Sequence, residues 1–249
     1  MKIVVIGGSG LIGSKLVRKL LEQGHQAVSA ALDSGVNTLT GEGLAEALDS
    51  AAVVVDVSNS PSFEEGAALK FFETSTSNLL EAEEVAGVGH HVALSVVGTE
   101  RLSESGYFRA KIAQEKLIER SPINYSIVHA TQFFEFIERI ADDATDGNTV
   151  RVAPVQIQPM AAEDVASAVG RISVGSPVNS IVEVAGPQRF RLDELIRRFL
   201  GERRDPREVI TDPHARYFGV ELDERTLLPG DDAELAETRL EDWLSQGGV

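Results

Sequence analysis

Tyr107 and Lys111 stand four residues apart in Tyr107-Phe108-Arg109-Ala110-Lys111, at the start of a stretch whose apolar spacing predicts a helix over 109–118. Positions i and i+4 share one helix face, so the phenol and the ammonium are expected side by side. A free phenol titrates near about 10. An adjacent ammonium and the positive end of a helix both favour the phenolate. Such a phenol can exchange a proton with a substrate oxygen near neutral pH, the service that carbonyl reduction asks of a side chain. The alternative is a surface tyrosine beside a solvated lysine.

A second constellation is Gly7-Gly8-Ser9-Gly10-Leu11-Ile12-Gly13. It follows a β-branched run at 2–6 and opens a helical pattern of Leu11, Leu16, Val17, Leu20 and Leu21 that Gly24 ends. In that setting the first glycine permits a tight turn, the second a close backbone approach by pyrophosphate, and the third close packing of helix on strand. Free amides at the helix start then hold phosphate. Gly7, Ser9, Gly10, Leu11, Ile12 and Gly13 are therefore candidate dinucleotide contacts, against the alternative of a structural turn.

Further strands are expected at 26–31, 52–57, 91–97, 125–128 and 181–185. Helices are expected at 44–48, about 63–86, 133–140, 162–172 and 192–200. Strands alternating with helices predict an α/β fold with a doubly wound parallel sheet, the Rossmann arrangement. Residues 1–130 are read as its dinucleotide-binding core, and 131–249 as a small substrate-side region interleaved with the same sheet in one unit.

Composition narrows the function. The chain has 249 residues, 23 Lys+Arg against 39 Asp+Glu, a formal net charge of −16 and no cysteine. Disulfide and thiolate chemistry are excluded, and the acidic balance argues against nucleic acid or an anionic membrane as partner. No targeting segment and no apolar run of about 18 residues is found, so a cytoplasmic protein is expected. No metal is expected either. His90 and His91 alternate to opposite faces of a strand, and the paired acids lack the spacing of a calcium loop.

The glycine register, the stretch 3–13 and the segment 124–132 resemble the short-chain dehydrogenase/reductase superfamily in its extended and atypical branches. Its NmrA-like NAD(P)-binding group is the most similar, and the resemblance covers roughly 1–190. It implies an NAD(P)-dependent oxidoreductase that moves hydride between nicotinamide C4 and a carbonyl, enone or quinone-type carbon of a small molecule. In this reading Tyr107 is the proton donor or acceptor, Lys111 anchors the nicotinamide ribose and tunes the phenol, and Ser95, at a strand end, orients the substrate oxygen. Thr131 and Gln132 would lie near the nicotinamide carboxamide, although 127–134 lacks the Arg-Pro that relatives commonly carry. Phe133 and Phe134, with Phe136, either line a pocket for an aromatic substrate or form a core stripe with Ile137 and Ile140. Two other functions stay open: a non-catalytic dinucleotide and redox sensor, and a tailoring oxidase or oxygenase of aromatic polyketides or quinones. A homodimer is left open as well.

Among dinucleotides, NAD(H) is favoured over NADP(H), because no Lys or Arg occurs from Leu20 to Leu69, where a 2′-phosphate would need a cation. Asp33 is the candidate for the adenosine ribose hydroxyls, or else an ordinary Asp-Ser-Gly turn residue. Ser58, Asn59 and Ser60, after a strong strand, are candidates for the adenine or diphosphate, or else a plain turn capped by Ser62.

Overall fold

The computed structural model describes residues 1–247. In chain order the elements are β1 (Lys2–Ile6), α1 (Leu11–Glu22), β2 (Gln26–Ala30), α2 (Leu44–Leu48), β3 (Val53–Asp56), α3 (Glu65–Ala86), β4 (His90–Val96), α4 (Gly106–Arg120) and β5 (Tyr125–Ala130). They continue with α5 (Ile137–Asp143), β6 (Thr145–Asp146), β7 (Thr149–Val152), β8 (Gln156–Ile157), α6 (Ala162–Val174), β9 (Ile181–Ala185), β10 (Phe190–Arg191) and α7 (Leu192–Glu202). The chain ends with β11 (Glu208–Thr211), β12 (Arg216–Tyr217), β13 (Val220–Glu221), β14 (Glu234–Leu235) and α8 (Leu240–Ser245). The central sheet has seven parallel strands in the order β14, β9, β5, β4, β3, β1, β2. The order reverses beside β1, as in doubly wound folds, whose ligands lie at the carboxyl ends of the strands.

The sequence explains why this sheet is buried on both faces. Residues 3–6 of β1 and 53–55 of β3 are buried and apolar without a break, and only Lys2 of β1 is partly exposed. One core cluster joins Val4, Ile6, Ala30, Leu44, Leu48, Val54 and Leu79; a second joins Leu80, Ala93, Ile118, Ile123 and Ile127. Each valine, leucine or isoleucine among them, fully buried, contributes about 1.5–3 kcal/mol.

The chain forms two compact units. One holds 1–95, 106–129 and 165–182; the other holds 96–105, 130–164 and the residues from Glu183 on. In the first, the expected strand end at Ala31 falls at Ala30, because the Ser34 hydroxyl accepts the Ala31 N–H and bonds its carbonyl oxygen, both at 2.9 Å. That closes a 3-10 turn over Leu32–Ser34. The long third helix starts at Glu65, with Glu64 as its N-cap in place of Ser62. Ser62 instead accepts the Glu64 N–H at 3.2 Å. The helix expected from Arg109 begins at Gly106, which brings Tyr107 into its first turn. In the second unit, the expected helix 133–140 divides into a 3-10 turn over Phe134–Phe136 and α5. Beyond α7, where no element was expected, the chain forms β11, parallel to β7, and the β12–β13 hairpin.

Candidate functional site

The first unit carries the glycine loop. Gly7 has φ +75°, and a Cβ there would stand 2.9 Å from Ser58 Cα, so only glycine allows the loop to lie against the turn after β3. A Cβ on Gly13 would run into the Gly7 carbonyl oxygen, so α1 rests directly on the loop backbone. Gly10 caps α1 without a side-chain hydrogen bond, and the first turn of the helix holds no acid. The first-turn amides of Leu11, Ile12 and Gly13 thus lie at the positive end of the helix dipole with no side-chain cap and no competing carboxylate. The Ser58 hydroxyl, beside Gly7, is buried and has no protein partner. A close backbone cradle, uncapped amides and an orphaned hydroxyl fit a diphosphate. Asp33 sits exposed on the 3-10 turn after β2, at the sheet edge where an adenosine ribose would be read.

Tyr107 is buried, and its hydroxyl donates to Asn59 Oδ1 at 3.0 Å. Asn59 Oδ1 also accepts the Ser60 N–H at 2.9 Å, which fixes the amide's orientation. Phe63, Phe72 and Phe108 enclose the ring at centroid distances of 4.9, 6.2 and 5.4 Å. Burial pushes the phenol up to about 12, the reverse of the expected drift toward phenolate. The hydrogen bond with Asn59 acts the other way and is smaller than the effect of burial, so the hydroxyl stays protonated at neutral pH.

The Lys111 ammonium is buried and donates to the Leu94 carbonyl oxygen at 3.0 Å and to Gln114 Oε1, and it lies 4.5 Å from the Phe72 ring centroid. Burial pulls it down to about 8, with the carboxylates of Asp56 and Glu115 resisting. Gln114 Nε2 donates to Asp56 Oδ2 at 3.1 Å, and the other oxygen of Asp56 accepts the Ser58 N–H at 2.9 Å. Ser95 donates its hydroxyl proton to Glu115 Oε1, and His129 Nε2 bonds the same oxygen at 3.0 Å. Burial alone would raise Glu115; His129, Ser95 and Lys111 together hold it below the usual carboxylate range.

The fold therefore brings Tyr107 to Asn59 and Ser58 to the glycine loop, while Ser95 is turned to Glu115. Asp56, Gln114, Glu115 and His129 were not among the expected site residues. For Gln114 and Glu115 a signal was present: Tyr107, Lys111, Gln114, Glu115 and Ile118 recur at helical spacing, placing polar groups on the face of α4 that is buried.

The remaining candidates lie in the second unit. The Thr131 N–H donates to Val184 O at 3.1 Å, and Gln132 O accepts the Met160 N–H at 2.9 Å. Both side chains are buried, yet the Thr131 hydroxyl and both polar atoms of the Gln132 amide have no protein partner. Phe134 is fully buried with its ring 5.4 Å from Trp243, the packing of a core residue. Phe133 stays partly exposed, 5.4 Å from Phe136. Among the described residues no group of three or more His, Cys, Asp and Glu could hold a metal ion, and no helix is long and apolar enough to cross a membrane.

Photosystem II assembly factor Ycf39 of Cyanophora paradoxa is 26% identical over 165 residues, 60% of this chain and 51% of its own length. This chain thus spans about half of that relative. The solved structure of MoeE5 in complex with UDP-glucose and NAD superposes with a TM-score of 0.74 at 16% identity, covering 100% of both chains. A short-chain dehydrogenase/reductase superfamily protein from Agrobacterium tumefaciens with bound NAD gives 0.74 at 13% identity, over 99% of this chain and 95% of the other. Such identities speak for the fold alone. The NAD(P)H-binding family matches residues 7–172, from the glycine loop into α6. Because that match takes in the glycine loop and more than half of the chain, the chain belongs to the NAD(P)H-binding family, and its fold is that of the extended short-chain dehydrogenases/reductases.

Proposed function

We propose that the protein is an NAD(P)(H)-dependent oxidoreductase that reduces a carbonyl, enone or quinone-type carbon, with Tyr107 as the proton donor. One observation carries this reading. Adjacent residues of the turn after β3 touch both halves of the chemistry: Ser58 packs on Gly7 of the loop, and Asn59 holds the Tyr107 hydroxyl at 3.0 Å. When bound, a reduced nicotinamide supplies hydride. The loop amides and Ser58 hold the diphosphate. Lys111 has used two of its three N–H donors, on Leu94 and Gln114, which leaves one for a ligand hydroxyl. Tyr107, kept protonated by burial, delivers its proton to the substrate oxygen as negative charge develops there. NAD(H) is preferred over NADP(H), since the window without cations contains the whole β2 to α2 connection and Asp33 stands where a 2′-phosphate would be repelled.

The test is to offer NADH and NADPH separately with small quinones and aldehydes, following the nicotinamide absorbance. Turnover is expected with NADH and lost in Tyr107→Phe, while dinucleotide binding persists. Unchanged turnover in Tyr107→Phe removes the phenol from the mechanism, and equal use of NADPH overturns the preference.

A second reading draws on a different observation: Ser95 donates to Glu115 and Lys111 to Leu94 and Gln114, so two of the three expected catalytic groups serve the fold. The chain would then bind the dinucleotide and report redox state to a protein partner, in keeping with a relative named as an assembly factor. Tight NADH binding with no consumption by any acceptor would select it.

A further inference from the structure

Lys111 is tied to the turn beside the glycine loop by a continuous buried chain. Its ammonium donates to Gln114 Oε1; the same amide donates from Nε2 to Asp56 Oδ2 at 3.1 Å; Asp56 Oδ1 accepts the Ser58 N–H at 2.9 Å. Gln114 and Asp56 are almost wholly buried. A carboxamide suits the middle position because its two ends differ in sign. Flipped, it would aim N–H groups at an ammonium and an oxygen at a carboxylate, two repulsions at once. The amide is thereby locked, and it links the Asp56 carboxylate to an amine that Asp56 does not itself hydrogen-bond.

We propose that Gln114 and Asp56 are positioning residues that hold the Lys111 ammonium in place and couple it to the Ser58 turn on which the glycine loop rests. This deepens the oxidoreductase reading above and rests on it for its catalytic consequence. The groups facing Lys111 from each element are few. Asp56 comes from β3, the Leu94 carbonyl from β4, the Phe72 ring from α3, and Glu115 from its own helix, the last engaged by His129 and Ser95. Since Asp56 and Glu115 are the charges that act on it, removing one should register in its titration.

The experiment labels lysine side chains with carbon-13, identifies the Lys111 signal by its loss in Lys111→Arg, and titrates it by NMR. The wild-type midpoint is expected near about 8. Asp56→Asn keeps an oxygen for the Ser58 N–H and removes the charge; Gln114→Met removes the bridge and keeps the volume. Both are expected to lower the midpoint by at least about one unit, Asp56→Asn through the lost charge and Gln114→Met through the lost hydrogen-bond acceptor. The alkaline limb of kcat/KM for NADH oxidation should move by the same amount, with NADH affinity within about threefold of wild type, a pattern that simple loss of packing does not produce. Unmoved midpoints in both variants overturn the proposal. Should Gln114→Met fail to fold, the isosteric Asp56→Asn decides it. If the wild type consumes no NADH with any acceptor, the oxidoreductase reading fails, and the Lys111 titration still decides the inference.

Discussion

Gly13→Ala tests whether α1 must rest on the glycine loop for a dinucleotide to bind. The added Cβ would meet the Gly7 carbonyl oxygen and stand 2.7 Å from Gly8 Cα and 2.8 Å from Gly7 C. All three atoms are backbone, so no rotamer change relieves the contact. The 2.7 Å separation must open toward the 3.4 Å at which ordinary contact begins, and the loop and the start of α1 have to part. Overpacking of this kind costs about 1–3 kcal/mol. If the loop yields, the strain appears as misplaced amides, and at about 1.4 kcal/mol per tenfold NADH binding weakens by about five- to a hundredfold. If the loop holds, the same energy leaves folding stability. Fluorescence titration with NADH and urea unfolding, done on one preparation, capture both routes. Affinity within about twofold of wild type together with stability within about 0.5 kcal/mol would refute the reasoning, because the contact would have cost nothing.

Two further outcomes concern stability. A Cβ added to Gly201, inside α7, would have nothing within 4 Å, so Gly201→Ala should raise stability by about 0.5–1 kcal/mol in urea unfolding, and a loss would mean the site is tighter than its open surroundings indicate. Glu83→Ala should destabilise by about 3–5 kcal/mol at mildly acidic pH, since it strands the fully buried imidazole of His91, 2.8 Å from the Glu83 carboxylate. The pH dependence follows from the protons held. Burial raises Glu83 above its ordinary 4.5; burial would lower His91, but the Glu83 carboxylate more than offsets this and holds it above 6.5. The folded pair therefore binds more protons than the unfolded chain, and its contribution, complete at low pH, is lost as pH rises through the raised values. The difference in stability between wild type and Glu83→Ala should shrink above about pH 6.5; a difference that grows with pH reverses the sign.

The parts of the fold legible in the sequence are those where pattern and burial coincide. Lys2 to Gly24 announces strand, turn and helix because apolar periodicity changes from continuous to helical across the glycines. Leu44–Leu48 and Ile181–Ala185 were readable for the same reason, bounded by turn residues on both sides. Two-residue strands such as β8, β10 and β14 carry no period to read, since their pairing is set by partners distant in the chain: Phe190 with Ile157, Glu234 with Val184. The start of α4 was misplaced because Ser105 and Gly106 look like turn residues, whereas Gly106 opens the helix where any Cβ would run into Glu65.

At the site, residue types revealed which groups could do chemistry and concealed which were engaged. By type alone Lys111, Gln114 and Glu115 suit a solvated helix face, yet all three are buried. Burying an ammonium and a carboxylate costs several kcal/mol per ion unless each is paired and hydrogen-bonded. Here Leu94, Gln114 and Asp56 answer the ammonium, and Ser95 and His129 answer the carboxylate. The Ser95 hydroxyl serves that demand, which is why its chain position could not disclose its role. Tyr107 differs. Its hydroxyl is held by Asn59, an exposed residue on the turn beside the glycine loop. A phenol bonded to a neutral amide can exchange that acceptor for a substrate oxygen without stranding a buried charge, whereas turning Ser95 away from Glu115 would remove one of the hydrogen bonds that hold that carboxylate. In the proposed mechanism proton transfer therefore falls on Tyr107, with the buried charged groups fixing the scaffold from which it acts.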